Sequence, residues 1–323
     1  MVMSAVIPVY NECESLRLLH QSLHQALDSL PTSWEAVFVD DGSSDGSVDI
    51  LEELAAADPL HTRVVELRRN FGQTAAIAAG IDYAAGDVIV LLDADLQNDP
   101  ADIPMMLDKI NEGYDVVSGW RVNRQDKFIT RTIPSRFANW LISRVTGVHL
   151  HDYGCTLKAY RREVITGFRL YGEMHRFIPV YARMVGAKIV ELPVHHHARK
   201  FGKTKYGLGR TLKVILDLVT VKFLLSYANK PIYLFGGTGI ILFAASFVVL
   251  LYLIVRRLMF PGDPNEHLNR SPLLMMSAML FILGFQSILM GLIAEMLART
   301  YHESQQKPTY TVRRVLNAAQ EAV

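Results

Sequence analysis

Two long apolar runs in the last third of the sequence restrict the fold more than any other feature. Residues 232–255 and 271–294 each hold 24 residues without a charged side chain. As α-helices they would be about 36 Å long, enough to cross a hydrocarbon core of about 30 Å. The short polar segment between them predicts a hairpin of two membrane-spanning helices. This hairpin also accounts for a hydrophobic content of 50%.

The charges that flank the hairpin predict its orientation. Seven lysines and arginines lie outside the hairpin within about 20 residues of the runs, and three lie in the connecting loop. Positive flanks favour the cytoplasmic side, so the large N-terminal part and both termini are predicted to be cytoplasmic, at the inner membrane. Residues 211–230 carry an apolar stripe interrupted by charges, which predicts an amphipathic helix in the membrane interface.

The first 120 residues alternate short apolar runs with helical segments. The predicted strands are "SAVIPVY", "EAVFVDD", "TRVVEL", "DVIVLLDAD" and "YDVVSGW". Continuous apolar strands separated by helices indicate an α/β domain with a mostly parallel sheet covered on both faces.

Polar and acidic residues follow three of these strands. Residues 10–12 follow the first, Asp40 and Asp41 end the second, and Asp93 and Asp95 end the fourth. Ligands of such sheets bind beyond the carboxyl ends of the strands. Strand side chains alternate between faces, so Asp93 and Asp95 project to the same side. One site at this edge is therefore expected.

Paired aspartates at this position indicate a hard divalent cation. Mg²⁺ and Mn²⁺ take one or two protein carboxylates and fill other positions with phosphate oxygens. A nucleotide diphosphate is thus the implied ligand. The sequence holds neither a GxxxxGK[ST] loop nor a GxGxxG turn after a strand, which removes the main support for kinase, ATPase and dinucleotide-binding functions.

Charge and cysteine content exclude other classes. A net charge of +1 argues against a nucleic-acid partner, which calls for a strongly basic face. Cys13 and Cys155 have no metal-binding spacing and are interpreted as ordinary thiols in a reducing compartment. The N-terminus lacks the basic region of a signal peptide. His195 to His197 are consecutive, so the three side chains of a strand there would not face one ion.

Five ordered motifs resemble the family 2 inverting glycosyltransferases. They are "IPVYNE", "FVDDGSSDGS", "RNFGQTAA", "LLDADLQNDP" and "RKFGKTKYG". The chain is more narrowly similar to the polyprenyl-phosphate glycosyltransferases, which include dolichol-phosphate mannose synthase and bacterial enzymes that load undecaprenyl phosphate with glucose or aminoarabinose. The resemblance implies a Rossmann-like GT-A fold. It also implies a nucleotide-sugar donor, Mg²⁺ or Mn²⁺, and a polyprenyl phosphate acceptor at the lipid bilayer.

The resemblance assigns site residues by motif. Asp95 is implied as the direct metal ligand, with Asp93 beside it. Asp41 and Asp45 are open to a second interpretation, in which they hold the turn through local hydrogen bonds. The residues implied for nucleotide-sugar binding are Pro8, Tyr10, Glu12, Asp40, Arg69, Gly72, Asp93 and Gln97.

The acceptor calls for cations rather than a strong base. A phosphate monoester has a second pKa of about 6, so it carries a nucleophilic oxyanion near neutral pH. Cations then hold the two anions together and stabilise the leaving diphosphate. The resemblance assigns Arg121 and Arg131 to this role together with Asp152, which either orients the acceptor or acts as base. The residues implied for the acceptor phosphate are Arg131, Arg199, Lys203 and Lys205; a basic face toward lipid headgroups is the alternative.

The sequence therefore predicts four segments: a catalytic domain at 1–210, an interfacial helix at 211–230, a hairpin at 231–298 and a cytoplasmic tail at 299–323. The expected reaction moves one sugar, glucose from UDP-glucose in the first instance, to undecaprenyl phosphate for modification of a cell-envelope glycan such as lipopolysaccharide. Aminoarabinose or mannose transfer and a noncatalytic membrane adaptor are the alternatives. A processive polysaccharide synthase is disfavoured, because no QxxRW motif occurs. Small residues in the helices, among them Gly239 and Ser287, suggest close helix contacts, and the resemblance suggests a homotetramer.

Overall fold

The computed structural model of the chain describes residues 2–122, 139, 142–144, 146–166, 170, 174–198, 232–259, 272–304 and 309–317. Four of the predicted site residues lie outside these ranges: Arg131, Arg199, Lys203 and Lys205. The predicted interfacial helix at 211–230 also lies outside them.

The N-terminal half alternates strands and helices as expected. The strands are β1 (Val2–Val9), β2 (Ser33–Asp40), β3 (Thr62–Leu67), β4 (Val88–Leu91) and β5 (Val116–Trp120). The helices between them are α1 (Cys13–Leu27), α2 (Ser47–Ala57), α3 (Gln73–Tyr83) and α4 (Ile103–Asn111), the last preceded by a 3-10 turn at Pro100–Asp102. Later elements are β6 (Lys158–Arg161), α5 (Arg162–Ile165), a 3-10 turn at Met174–Phe177, α6 (Ile178–Met184), β7 (Ile189–Pro193), α7 (Ile232–Met259), α8 (Pro272–Ser304) and β8 (Val312–Leu316).

The described strands form one sheet in the order β7-β5-β6-β4-β1-β2-β3-β8. Strands β1 to β5 and β7 run in the same direction, whereas β6 and β8 are antiparallel to their neighbours. The carboxyl ends of six strands therefore meet at one edge, here called the carboxyl edge. The opposite edge is called the amino edge. This mostly parallel, Rossmann-like sheet confirms the predicted fold class.

Burial explains why the central strands are so apolar. All four residues of β4 are buried, and Ala5, Val6 and Ile7 of β1 are fully buried. Helix α1 covers one face with a stripe of leucines at helical spacing: Leu16, Leu19, Leu23 and Leu27. Each buried leucine contributes on the order of 2 kcal/mol relative to exposure, so the stripe fixes α1 on the sheet.

The chain divides into two compact units, Met1–Val221 with Pro308–Val323, and Lys222–Lys307. The second unit contains α7 and α8, which pack against each other as an antiparallel pair. Their apolar side chains are largely exposed, for example Ile241 and Phe247 at 69% and 65%. Two helices long and apolar enough to span a membrane are found in the described chain, Tyr233–Met259 and Pro272–Ala294. A soluble core helix would hide these side chains, so the pair forms a candidate membrane hairpin.

Small residues bring the two helices of the hairpin together. A Cβ atom on Gly239 would lie 2.8 Å from the backbone oxygen of Gly284. The Ser287 hydroxyl donates to the Phe235 carbonyl at 2.8 Å, and the hydroxyls of Ser246 and Ser277 lie 3.2 Å apart. Gly239 and Ser287 therefore serve a contact within the chain, which the sequence did not distinguish from a contact between subunits.

The segment after the hairpin returns to the sheet of the first unit. Strand β8 pairs antiparallel with β3, and both Arg313 and Arg314 bind the carboxylate of Glu66. Asn317 donates to the carbonyls of Ala55 and Thr62 at 2.7 and 2.8 Å. The predicted polar tail thus contributes the edge strand of the sheet.

Candidate active site

The turn after β2 places Asp40 at the carboxyl edge. One oxygen, Oδ2, accepts from the backbone N–H groups of Gly42 and Ser43, both at 3.1 Å. The other oxygen, Oδ1, is buried and has no hydrogen-bond partner within the described part of the chain. Burial raises the pKa of Asp40 above its usual range. An uncompensated acceptor of this kind is costly in a folded protein, which marks Asp40 as a candidate ligand contact.

Asp41 joins two loops of the edge. Its carboxylate accepts from the backbone N–H groups of Phe71 and Gly72 at 2.7 and 2.9 Å. Gly72 has a φ of 97°, a conformation that favours glycine, and it directly precedes α3. The Arg69 guanidinium lies 4.1 Å from the centre of the Phe71 ring. Of the two interpretations of Asp41, the structure supports the one in which it holds a loop.

The loop after β1 is hydrogen-bonded to the turn after β2. Asn11 has a φ of 53°, and its Oδ1 accepts from the backbone N–H of Ser44 at 2.8 Å. The backbone N–H of Glu12 donates to the Ser47 hydroxyl at 3.0 Å. Pro8 lies near the end of β1, and Tyr10 is 37% exposed just beyond it. The loops that carry the first two motifs are therefore joined by hydrogen bonds.

The paired aspartates follow β4 in a tight turn. Asp93 accepts from Nε2 of Gln73 at 2.9 Å and from the Thr156 hydroxyl. Asp95 is buried and accepts from the backbone N–H of Gln97 at 3.1 Å. Leu96, between Asp95 and Gln97, has a φ of 60°, an uncommon conformation that often accompanies functional sites.

The charges around this pair fit a divalent cation. Burial and the nearby Asp95 carboxylate raise the pKa of Asp93 to about 6, although Arg121 and Arg176 act to lower it. Two partly dehydrated carboxylates repel each other, and a cation between them would remove that repulsion. Hard carboxylate oxygens are the donors that Mg²⁺ and Mn²⁺ take.

Arg121 and Asp152 form a buried, two-pronged ion pair beside the aspartates. Nε of Arg121 lies 2.7 Å from Oδ2 of Asp152, and Nη2 lies 2.9 Å from Oδ1. The Gly154 backbone N–H also donates to Oδ1 at 3.0 Å. The Asp152 N–H in turn donates to Glu191 at 3.0 Å. A planar guanidinium held in this way has a fixed orientation.

The structure adds residues that sequence reasoning missed. Gln73 and Thr156 bind Asp93, and His175 meets the Thr74 hydroxyl at 2.7 Å. Lys158 is buried and donates to the Tyr153 carbonyl at 3.3 Å, and burial lowers its pKa. Gln73 lies in the "RNFGQTAA" motif, so the sequence offered a reason to consider it. No sequence signal pointed to Thr156, His175 or Lys158.

Two histidines of the tract at residues 195–197 contact two different carboxylates. His195 Nδ1 lies 2.7 Å from Asp102, and His197 Nε2 lies 3.0 Å from Asp99. The backbone N–H of His197 donates to the Gln97 carbonyl at 2.8 Å. These contacts attach the segment after β7 to the loop that carries the paired aspartates.

Comparisons with known proteins agree with this geometry. The family described as Glycosyl transferase family 2 matches residues 4–168. Dodecaprenyl-phosphate galacturonate synthase of Rhizobium johnstonii is 43% identical over 323 aligned residues, which cover 99% of this chain and 94% of the relative.

Solved structures share the fold at low sequence identity. Glucosyl-3-phosphoglycerate synthase from Mycobacterium tuberculosis, in complex with Mn²⁺ and UDP-glucose, has a TM-score of 0.53 and 18% identity over 68% of this chain and 78% of that one. S. aureus TarS in complex with UDP-GlcNAc has a TM-score of 0.52 and 20% identity over 69% and 67% of the two chains. At these identities the likeness concerns the fold alone.

Proposed function

The chain belongs to glycosyl transferase family 2 and is a glycosyltransferase, and from this premise we propose that it transfers one sugar from a UDP-sugar to a polyprenyl phosphate at the membrane. The observation that carries this proposal is the 43% identity with dodecaprenyl-phosphate galacturonate synthase, which extends over 99% of the chain. The shared length includes both apolar helices as well as the catalytic domain.

The donor is proposed to bind along the carboxyl edge. The loops after β1 and β2 would hold the nucleoside through Pro8, Tyr10, Glu12 and Asp40, with Arg69 and Gly72 in the neighbouring loop. Oδ1 of Asp40, which has no hydrogen-bond partner in the described part of the chain, is suited to accept a hydrogen bond from the ligand. Asp93 and Gln97 would lie beside the diphosphate.

Asp95 and Asp93 are proposed to hold Mg²⁺ or Mn²⁺. A bound cation of this kind supplies positive charge to the diphosphate that leaves. The contacts from Gln73 and Thr156 fix the orientation of the Asp93 carboxylate, and the Asp95 carboxylate is near enough to raise the pKa of Asp93.

The acceptor is proposed to attack through its own phosphate oxygen. That oxygen forms a bond to the anomeric carbon of the sugar while the bond from this carbon to the diphosphate oxygen breaks, with inversion. Arg121 would stabilise the phosphates, and Asp152 would act by positioning Arg121, since both of its oxygens already accept from the guanidinium. Arg131, Arg199, Lys203 and Lys205 are proposed, from the family resemblance, to hold the acceptor phosphate.

Galacturonate is the sugar to be tested first. The relative that matches the whole chain carries galacturonate in its name, whereas the glucose expected from the motifs rests on a coarser resemblance. A hexuronate bears an extra carboxylate, so its recognition requires a further cation or N–H donor at the donor site.

The hairpin is proposed to anchor the enzyme to the cytoplasmic face of the membrane, where the acceptor phosphate is accessible. The flanking charges support this orientation. The pairing of β8 with β3 supports a hairpin whose two flanks lie on the same side of the membrane, because residues 1–221 and 308–323 belong to one unit.

The proposal is tested by supplying purified protein with dodecaprenyl or undecaprenyl phosphate and a panel of nucleotide sugars. The panel contains UDP-galacturonate, UDP-glucose, UDP-aminoarabinose and GDP-mannose, each with Mn²⁺ or with EDTA. A lipid-linked sugar that requires the cation is expected from one donor. It should be lost in Asp95→Asn and retained in Asp49→Asn, a matched change at an exposed acid of α2. No lipid product from any donor would contradict the proposal, and a further lack of nucleotide binding would favour the adaptor.

A further inference from the structure

A compact group of histidines and aspartates lies at the amino edge, remote in the fold from the candidate active site. His20 and His24 are one turn apart near the end of α1, and Asp58 caps the end of α2. One ligand atom of each of these three residues lies within 4.8 Å of the other two. His61, directly before β3, extends the group.

The distances within this group match a tetrahedral metal site. Oδ2 of Asp58 lies 3.1 Å from Nε2 of His24 and 3.5 Å from Nε2 of His20. Ligands at about 2.0–2.1 Å from a tetrahedral Zn²⁺ are separated by about 3.4 Å. Two histidines at i and i+4 on one helix face are a recurrent way to present two nitrogens to one zinc ion. The group is therefore already near the geometry that such an ion requires.

The histidines of this group also contact carboxylates through their Nδ1 atoms, as metal-binding histidines commonly do. Nδ1 of His24 contacts the Asp28 carboxylate at 3.0 Å, and Nδ1 of His61 contacts Oδ1 of Asp58 at 3.0 Å. Carboxylates on the second nitrogen of a histidine fix its tautomer and orientation in zinc sites. The Trp34 ring stacks on His61 with centroids 4.5 Å apart, so one side of the group is closed by an aromatic wall.

The three proposed ligand side chains are largely buried, so they are only partly hydrated. The side chains of His20, Asp58 and His24 are 14%, 18% and 27% exposed. The Thr62 hydroxyl also lies 2.9 Å from Nε2 of His20, so this nitrogen has a hydrogen-bond partner when no metal is bound.

We propose that His20, His24 and Asp58 bind one Zn²⁺ ion, with Asp28 and His61 as supporting residues. The ion would join the end of α1 to the segment between α2 and β3. Its role would be structural, and it lies outside the proposed sugar transfer. Borderline nitrogen and oxygen donors select Zn²⁺ over the Mg²⁺ or Mn²⁺ proposed for the carboxyl edge.

The test measures Zn²⁺ affinity by competition with a chromophoric chelator. All proteins are full-length, free of affinity-tag histidines, stripped with EDTA and carry Asp95→Asn, so that the paired aspartates contribute little. One tight Zn²⁺ per chain is expected. Loss of one ligand in His24→Gln should weaken this binding by at least about 100-fold, whereas His149→Gln, an exposed histidine elsewhere, should leave it unchanged. Equal affinity in the His24→Gln and His149→Gln proteins would overturn the proposal.

A second variant avoids the buried ligands. Asp28 is 54% exposed, so Asp28→Asn should fold normally, yet it should weaken Zn²⁺ binding about 10- to 100-fold by removing the support of His24. Co²⁺ provides an independent readout, because a tetrahedral site gives strong visible absorption that an octahedral site lacks. Absence of that absorption in the parent protein, or no change of affinity in Asp28→Asn, would contradict a site at these residues.

Discussion

Glu35 at the amino edge and two acids at the carboxyl edge, Asp40 and Asp93, differ in how far the chain compensates them. At the amino edge, Glu35 is 8% exposed, and it accepts from the backbone N–H of Ala85 at 2.6 Å and pairs with Arg63 at 3.0 Å. At the carboxyl edge, Asp40 has a buried oxygen without a hydrogen-bond partner among the described residues, and the pKa of Asp93 is raised to about 6.

This difference separates acids that stabilise the fold from acids that are kept for a ligand. A buried carboxylate whose charge is balanced within the chain has no oxygen available to bind a substrate. One that is balanced only in part raises the energy of the free protein, and a bound cation or hydroxyl can recover that energy. Functional sites commonly violate local stability rules in this manner.

The largest effect is expected from Asp95→Asn. It removes one of the two carboxylates proposed to hold the cation, and loss of this stabilisation should lower sugar transfer by about 1000-fold, or about 4 kcal/mol. The melting temperature should change by less than about 2 °C, since asparagine keeps the size of the side chain and an oxygen that can accept from Gln97, and it removes the repulsion with Asp93. Initial rates with Mn²⁺ and thermal melting measure both quantities. A large loss of stability together with activity would erase the distinction between the edges.

The amino edge should respond in the reverse manner. Arg63→Met leaves the Glu35 carboxylate buried without its cation, and the free energy of unfolding should fall by about 3 kcal/mol. Transfer per folded molecule should remain within about twofold of the parent enzyme. Denaturant titration in detergent and rates corrected for the folded fraction give the comparison. A loss of rate as large as that in Asp95→Asn would mean that the edges are not separate in function.

Arg121 and Asp152 test whether an ion pair at the carboxyl edge serves function. Lysine lacks the planar fork of arginine, so Arg121→Lys should lower the rate about 10- to 100-fold. Asp152→Asn should have a similar effect, and the double variant should be no worse than the poorer single variant, because the residues act as one unit. If Asp152 is instead the base, Asp152→Asn should cost far more than Arg121→Lys.

The smallest effect concerns the pH dependence of stability in EDTA. The folded pKa of Asp93 is raised from 3.8 to about 6, so the folded protein binds the proton more tightly than the unfolded chain. Its stability contribution is therefore complete below pH 3.8 and is lost as the pH rises through about 6. Asp93 retains some exposure, so we expect a difference of about 1–2 kcal/mol.

Asp93→Asn isolates this contribution. Its melting temperature relative to the parent enzyme should rise by a few degrees between pH 4 and pH 7, whatever its absolute value at one pH. Asp49→Asn should show no such trend. A constant offset for Asp93→Asn across this pH range would contradict a raised pKa.

The sheet and its carboxyl edge were predictable because strand burial and the position of acids after strands are local patterns. Runs such as Val88–Leu91 read as strands without knowledge of their neighbours. The pairing of Arg121 with Asp152 was not predictable in the same way, since it joins residues 31 positions apart through the antiparallel placement of β6. Equally, Asp41 and Asp95 look alike in the sequence, and only their contacts separate a loop anchor from a candidate ligand.

The edge strand β8 was missed for a related reason. Its five residues include two arginines, so they resemble a polar tail until Glu66 and β3 are placed beside them. The small residues of the hairpin likewise indicate close packing without specifying the partner, and the contact between Gly239 and Gly284 is visible only when both helices are present.

The most direct test of the functional role of the carboxyl edge is calorimetric titration of the purified protein with UDP, with Mn²⁺ or with EDTA. One UDP per chain should bind in the presence of Mn²⁺. Binding should weaken at least about 10-fold in EDTA and in Asp95→Asn. The folded fraction of Arg63→Met should bind UDP with the affinity of the parent protein. Equal UDP affinity with and without the cation, or full binding in Asp95→Asn, would contradict the assignment of these acids to a metal and nucleotide site.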